Sequence, residues 1–329
     1  MGNRLLYVGL DVGGTTMKAC VVDETGQAYP SISMATEAYK GQDHGLETMA
    51  ESIRRAVSEA GKTMSEIAGI GVATPGPMDI SGGIILEPAN LKPWKNVPVR
   101  KYIQEAFGLP TAYQNDANAA ALGEFWVGAG KEAKSLVLFT LGTGIGGGII
   151  LHNRVLEGEH SHGAEIGHMK VEMTKPRLCG CGHWGCLESY ASATSVVKRT
   201  KEALESDGGK SILHTIWQGG DQEITSRDIF DAAKNGDELA QKIVDETSFY
   251  LAVGAMNLMH IIDPEIVAFG GGMVAAGPDF LQKIQHYVKE LALPVPAEKT
   301  IIRYAMLGSD AGMIGSAAGA RMLTNNGKL

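Results

Sequence analysis

The 329-residue chain has few cysteines, no excess of positive charge and no uninterrupted apolar run long enough to span a bilayer. Four cysteines, three of them packed between Cys179 and Cys186, argue against a disulfide framework and for a reducing, cytoplasmic compartment. Twenty-nine Lys and Arg stand against 37 Asp and Glu, a net charge of -8, so the electrostatic footprint of a nucleic-acid binder is missing. An anionic ligand must then be captured locally, by backbone amides, a few cations or a metal. Ser135 to Asn153 carries no Asp, Glu, Lys or Arg, but five glycines interrupt it, which suits a hairpin and excludes a membrane span. Leu5 to Leu10 is too short for a signal peptide. Leu6 stands where an N-myristoylation signal needs Ser or Thr. There is no Walker A sequence, no linker, and no expected disorder beyond the last few residues.

What the chain has in abundance is glycine: 43 residues, nearly twice the usual share of about 7%. The glycines cluster between apolar runs, as turns and close backbone approaches do. Leu5 to Leu10 and Met17 to Val22 flank Asp11-Val-Gly-Gly-Thr-Thr16, a predicted hairpin. Leu136 to Leu141 and Gly147 to Leu151 repeat that plan around Gly142-Thr-Gly-Ile-Gly146. The repeat predicts two related domains facing one another across a cleft, each with a phosphate-sized loop of backbone N-H groups. Length alone also suggests about two domains. Gly142, Gly144 and Gly147 spell a G-x-G-x-x-G, but a dinucleotide fingerprint must open a helix and here the chain continues as a strand.

Between the hairpins, Leu46, Met49, Ile53, Ala56, Val57 and Ala60 recur at helical spacing, with Gly61 as the stop. A buried strand at Ile67 to Ala73 runs into Thr74-Pro-Gly76-Pro77, a turn exposing backbone at a strand end, where open α/β sheets place ligands. Ser81 to Leu86 predicts a hairpin leading to Asn90. Thr111 to Gln114 is extended, and Asn115-Asp116 caps a helix over Ala117 to Val127. The second half predicts helices near Ala191 to Leu204, Ser226 to Ala233 and Glu238 to Ile262, the last buried and stopped by Asp263-Pro264. Strands at Ile266 to Phe269 and Ile301 to Ala305 and helices at Phe280 to Leu293 and Ala311 to Leu323 complete the chain.

The chemistry concentrates between Gly163 and Glu188. Cys179, Cys181 and Cys186, flanked by glycines, can turn three thiolates toward one point, as a tetrahedral zinc site requires. His168 and His183 are the candidates for the fourth ligand. His168 is preferred, because it arrives from a separate segment, whereas residue 183 lies inside a loop already closed by Cys181 and Cys186. A closed Cys3His set leaves no open position, so the metal is expected to be structural, which also speaks against zinc-dependent hydrolysis. Glu165 and Glu188 flank the loop, and Glu165 and His168 can share one helical turn. Asp11 and Asp116 are carboxylates beside the expected cleft. Asp116 is either a plain N-cap or a base held within about 3 Å of a substrate hydroxyl. Lys18 either neutralises phosphate or points to solvent, and Thr15, Thr16 and Thr143 either bond phosphate oxygens or finish their turns. Asn90, Glu165 and Glu188 suit a neutral polyol. His160, His162 and His183 have no assigned role.

These residues resemble the ROK family of sugar kinases and repressors, within the sugar kinase, Hsp70 and actin superfamily. Asp11 to Lys18 resembles its first phosphate motif, Leu141 to Gly148 its second, Phe269-Gly-Gly-Gly-Met273 its adenosine motif, and Asn115 to Glu124 the segment with the catalytic aspartate. Glu165-Ile-Gly-His168 and Cys179 to Glu188 resemble its sugar and zinc signature. The resemblance implies an α/β, two-domain actin-like ATPase (ribonuclease H-like) fold with a cleft and a zinc knuckle. Its smaller domain would be 1-116, with the closing helix 311-329 packed back on it, and its larger one 117-310, carrying the zinc loop 168-186. It implies Asp116 as base toward a sugar hydroxyl, usually that on C6, and Gly76, Asn90, Asn115, Glu165, His168 and Glu188 as sugar ligands, with His168 also on zinc. Mg-ATP would lie against Asp11, Gly13, Gly14, Thr15, Thr16, Lys18, Gly142, Thr143, Gly144, Gly270, Gly271 and Gly272, with Asp11 orienting magnesium through water. Family repressors carry a helix-turn-helix before the first phosphate motif; here that motif begins by Gly9, so an enzyme is expected. Glucose is the first substrate expectation, with N-acetylmannosamine, N-acetylglucosamine, fructose and mannose open. Polyphosphate as donor and a non-catalytic sugar sensor are the rivals, and a homodimer or homotetramer is the expected assembly.

Overall fold

In the computed structural model, which describes residues 4–206, 208–218, 223–325, 327 and 329, the chain forms two compact units. One comprises Met1–Leu138, Gly148–Ala164 and Ala305–Leu329; the other comprises Phe139–Gly147 and Glu165–Tyr304. The sequence reading divided the chain after Asp116, whereas here the helix that Asp116 opens belongs with the first unit.

The elements of the first half are β1 (Leu6–Val12), β2 (Thr16–Asp23), β3 (Ile32–Ala35), α1 (Gln42–Glu59), β4 (Ile67–Thr74), β5 (Met78–Asp79), β6 (Ile84–Ile85), α2 (Val99–Phe107), β7 (Thr111–Asn115) and α3 (Asp116–Val127). They are followed by β8 (Ser135–Leu141), β9 (Ile145–Leu151), β10 (Arg154–Val155), α4 (Glu188–Ala191), α5 (Ala193–Leu204), α6 (Leu213–Gln218), α7 (Ser226–Lys234) and α8 (Glu238–Ile262). The last are β11 (Ile266–Gly270), α9 (Pro278–Leu291), α10 (Pro294–Lys299), β12 (Ile301–Tyr304) and α11 (Ala311–Thr324). One five-stranded sheet runs β3-β2-β1-β4-β7, and a second runs β10-β9-β8-β11-β12. Both predicted hairpins are present, and the hairpin expected over Ser81 to Leu86 starts earlier, pairing β5 with β6 and leaving Ser81 in the turn.

Strand alternation decides what each face of the first sheet meets. Leu6, Val8, Leu10 and Val12 of β1 join Met49, Ile53 and Val57 of α1 in the larger core. Tyr7, Cys20 and Val22 turn the other way, onto Met313, Ala317 and Ala320 of α11. On that face the helix backbone lies on glycine. A Cβ on Gly9 would fall 1.8 Å from the Met313 carbonyl oxygen, and one on Gly71 would fall 1.7 Å from that of Ser316. Glycine inside a strand here marks a close backbone approach.

The same device joins α3 to α11, where a Cβ on Gly315 would meet the Ala119 carbonyl oxygen at 1.6 Å. Gly315→Ala should add up to about 1 kcal/mol of helix propensity, yet the obstacle is backbone with no rotamer to move. We therefore expect net destabilisation of about 3 kcal/mol or more, read as a lower urea midpoint. An unchanged or raised midpoint would show that the two helices separate freely.

The second unit has its own packing. Phe139 of β8 stacks on Phe269 of β11 with ring centroids 5.0 Å apart, and α8 buries Leu251, Ala252, Ala255, Leu258 and Met259. Asp263 ends α8 with φ 52°, a left-handed cap that Asp tolerates better than most residues. The helix expected near Ala191 to Leu204 is α5, started at Ala193 by the Ser192 side chain, which accepts the Ser195 N-H; the short α4 before it was not expected.

Candidate functional site

In the first unit, β1 alternation places Asp11 on the α11 side, next to Gly312 in the first turn of that helix. A Cβ on Gly312 would lie 2.2 Å from an Asp11 carboxylate oxygen. Lys18 is the cross-strand neighbour of Asp11, and its Nζ reaches the Ser309 carbonyl oxygen at 3.4 Å and Asp310 at 3.9 Å. The loop between β1 and β2 closes with Gly13 N-H on the Thr16 carbonyl at 2.9 Å, and Thr36 Oγ1 donates to the Gly13 carbonyl at 2.7 Å. Neither Gly13 nor Gly14 has a positive φ. Gly14 is small for another reason: its Cβ would crowd Asn90 at 3.1 to 3.2 Å. The first glycine loop and Asn90 are therefore brought together.

At the end of β7, the Asn115 side chain accepts the N-H groups of Ala117 and Asn118 at 2.9 and 3.2 Å, so Asn115 caps α3. Asp116 is the first residue of the helix, where a carboxylate is favoured by the helix dipole. Asn115 thus supplies the N-cap weighed for Asp116, whose own carboxylate also accepts the Ala117 N-H at 2.8 Å. The Asn115 amide nitrogen lies 4.0 Å from where a Cβ on Gly76 would be, so the expected turn at Gly76 and this amide are adjacent.

Burial first, and the charge of Asp116 second, push Asp11 up from 3.8 to about 7, against partial relief from Lys18. Between those two values the folded protein keeps a proton that the unfolded chain has lost. Stability therefore falls as pH rises through that window, by at most about 4 kcal/mol, and the loss is complete above pH 7. Without added magnesium, the wild-type urea midpoint should drop more between pH 4 and 7 than that of Asp11→Asn. Parallel profiles for the two proteins would remove the folded-state proton from Asp11.

In the second unit, Glu165 opens a short 3-10 turn over Ile166–His168, and the His168 N-H returns to the Glu165 carbonyl at 3.0 Å. One ligand atom each from His168, Cys179, Cys181 and Cys186 lies within 4.8 Å of the others. Cys181 Sγ is 3.7 Å from Cys186 Sγ, and Cys179 Sγ is 3.8 Å from His168 Nδ1. Ligands about 2.1 to 2.3 Å from a tetrahedral ion stand roughly 3.4 to 3.8 Å apart, so the set fits zinc. His183 also approaches, its Nδ1 3.7 Å from Cys181 Sγ, but it lies outside that mutual group.

Sequence reasoning missed Lys170, whose Nζ donates to Cys186 Sγ at 2.9 Å. Three thiolates and a neutral imidazole around a divalent ion would leave one negative charge in excess, which this ammonium would balance. The only signal was its position two residues after His168. Gly182 and Gly185, with φ of 83° and 78°, make the sharp bends of the loop. His160 and His162 sit on an exposed loop, where His162 Nδ1 is 2.6 Å from the His160 carbonyl.

The second glycine loop closes with Gly142 N-H on the Gly144 carbonyl at 3.0 Å, leaving Thr143 exposed. Glu188 lies against it, one carboxylate oxygen accepting the Ile145 N-H at 2.9 Å. At the end of β11, Gly271 has φ 89° and packs on Leu141, where a Cβ would meet backbone at 2.4 Å.

Comparison with known proteins bears on these residues. The sequence model of the ROK family matches residues 7–322. A glucokinase of Halalkalibacterium halodurans is 36% identical over 309 residues, 94% of this chain and 93% of that protein. Among solved structures, the ROK hexokinase of Thermus thermophilus superposes with a TM-score of 0.85 at 31% identity, covering 98% of this chain and 100% of that one. A ROK family glucokinase of Streptomyces griseus in complex with glucose and AMPPNP gives 0.78 at 30% identity, covering 96% and 99%.

Proposed function

This chain belongs to the ROK family, and from that premise we propose that it is an ATP-dependent hexose kinase that phosphorylates glucose at O6. The observation that carries the reading lies in the first unit: Asp116 heads a helix that Asn115 caps, with Asp11 and the first glycine loop in the same unit. One oxygen of that carboxylate accepts the Ala117 N-H at 2.8 Å, which fixes the group at the helix start, where it is proposed to act as the base. Glucose is supported by the likeness to the Halalkalibacterium and Streptomyces glucokinases.

In this reading Gly76, Asn90, Asn115, Glu165, His168 and Glu188 hold the sugar, and Asp116 accepts the proton of the attacking hydroxyl. Phosphoryl transfer has a loose transition state, so aiming the hydroxyl in line at the terminal phosphate matters more than the strength of the base. The loops at Gly13 to Thr16 and Gly142 to Gly144 take the phosphates, and the turn at Gly270 to Gly272 takes the adenosine. Asp11 would orient the magnesium ion that accompanies ATP, and a cation there would lower its raised pKa. His168, Cys179, Cys181 and Cys186 would hold a zinc ion, and four protein ligands would close its coordination shell, so its role would be structural. The assembly is a homodimer or homotetramer. Among the described residues, no helix is long and apolar enough to cross a membrane.

The test is ADP release from Mg-ATP across glucose, mannose, fructose, N-acetylglucosamine and N-acetylmannosamine. We expect kcat/KM for glucose to exceed that for each rival by about tenfold or more, the discrimination that one misplaced polar contact costs. Turnover on an N-acetyl sugar in preference to glucose would overturn the substrate. No turnover on any sugar, or turnover with polyphosphate alone, would overturn the ATP-dependent kinase.

A further inference from the structure

Glu188 enters the reading above as a sugar ligand, yet its carboxylate is built into the second glycine loop. One oxygen accepts the N-H of Ile145, the residue that starts β9, at 2.9 Å. A Cβ on Gly144 would stand 2.4 Å from the same oxygen, so the bare backbone at 144 is what lets the carboxylate lie there. The other oxygen is 3.5 Å from Cys179 Sγ, which seats the carboxylate between the cysteine loop and the glycine loop.

The neighbouring backbone is tied from the same short segment. Ala193 N-H donates to the Gly142 carbonyl at 2.9 Å, and Ser195 Oγ donates to the Glu188 carbonyl at 2.6 Å. Ile145 is buried while Thr143 is exposed. The carboxylate therefore satisfies the inner amide of the turn and leaves the outer rim to a ligand. An inner amide without this partner would be an unsatisfied buried donor, which a turn relieves by changing shape.

We infer that Glu188 is a positioning residue for the nucleotide: it sets the turn at Gly142 to Ile145 in its phosphate-binding shape before any sugar arrives. This rests on the kinase reading, from which it takes the phosphate as the ligand of the loop. The consequence separates it from a sugar ligand alone, because nucleotide affinity without sugar then depends on a residue that should matter only with sugar.

The experiment is calorimetric titration of Mg-AMPPNP into the full chain without sugar, with glucose titrated separately. Glu188→Ala should weaken sugar-free nucleotide binding about tenfold or more, the range of a lost hydrogen bond to a charged group. Glu188→Gln, whose amide oxygen still accepts from Ile145, should stay within about threefold of wild type. Gly144→Ala keeps the carboxylate but drives it off the turn, and should reproduce the alanine loss. Glu165→Ala, a proposed sugar ligand away from the turn, should lower glucose affinity and leave the nucleotide isotherm at the wild-type value. Wild-type nucleotide affinity in both Glu188→Ala and Gly144→Ala, with glucose binding lost in the former, would overturn the inference and keep the kinase. A wild type that binds no nucleotide would overturn both.

Discussion

Asp116→Asn should bind glucose and nucleotide much as the wild type does and turn over about 10² to 10⁴ times more slowly, the range of a positioned general base. The substitution is close to isosteric, and the start of α3 should survive it. Asn115 supplies the cap through two hydrogen bonds, and an amide oxygen can still accept the Ala117 N-H that the carboxylate accepts at 2.8 Å, while the dipole interaction of a carboxylate at the first helical position, about 0.3 to 1 kcal/mol, is lost. The loss should fall on kcat with little change in KM, since proton acceptance matters in the transition state and little in the ground state. A second readout is independent of turnover. Asp116 is one of the causes that raise the Asp11 pKa, so the pH-dependent loss of stability assigned to Asp11 should shrink in Asp116→Asn. A variant with kcat within about tenfold of wild type would take the base role from Asp116. An unfolded variant would show instead that the carboxylate holds α3 in place.

Much of this site is readable in one dimension because its parts are local. A glycine loop between apolar strands, an Asn-Asp pair at a strand end and three cysteines around three glycines each declare themselves within about ten residues. What escaped was set by partners far along the chain. Gly14 and Gly144 look like turn residues, but their smallness answers to Asn90 and Glu188, respectively. Glu124 reads as one helix charge among many. It is fully buried, its carboxylate accepting the N-H groups of Ala129, Met306 and Leu307 at 2.7 to 3.0 Å, a bond set that ties α3 to the strand of chain before α11. The short elements missed in the sequence have plain reasons. In α10, two prolines in Pro294–Lys299 argue against helix, yet one of them starts it. In α2, only Val99 and Ile103 are buried, too few to make a periodic signal, although Gly108 in the left-handed region ends it as a C-cap should. β3 alternates half-buried and exposed residues at a sheet edge and buries none fully.

Removing the metal should do more damage than any single ligand to sugar. In peptides of the zinc-finger kind, a structural zinc supplies about 10 kcal/mol or more of apparent binding energy that is also folding energy, whereas the cysteine loop is otherwise held by backbone pairs, the ion pair of Arg177 with Glu202 and the Arg177 N-H on the Tyr190 hydroxyl. Cys181, Gly182, His183 and Trp184 are exposed, Met173 and Leu178 are exposed apolar residues, and the loop is pinned mainly by backbone pairs such as Val171 N-H to Gly185 and Leu187 N-H to Met169. Without the ion, three thiols and an ammonium at Lys170 remain, and the hydrogen bond from Lys170 to Cys186 cannot by itself offset the entropy of ordering the loop between His168 and Cys186. His168 and Glu188 sit at its two ends. Chelation, or Cys186→Ser, should therefore open the 170–186 segment to protease, release one equivalent of zinc per chain, and weaken glucose binding about a hundredfold or more, as the loss of at least two oriented polar contacts requires. Most of the remaining fold should persist, because the packing of α8 on its own apolar face and the stack of Phe139 on Phe269 do not pass through the loop. Re-adding zinc should restore protection and glucose affinity together. A metal-free protein that keeps both would show that the cluster is reduced thiols packed as core, and that the sugar ligands are oriented by the backbone alone.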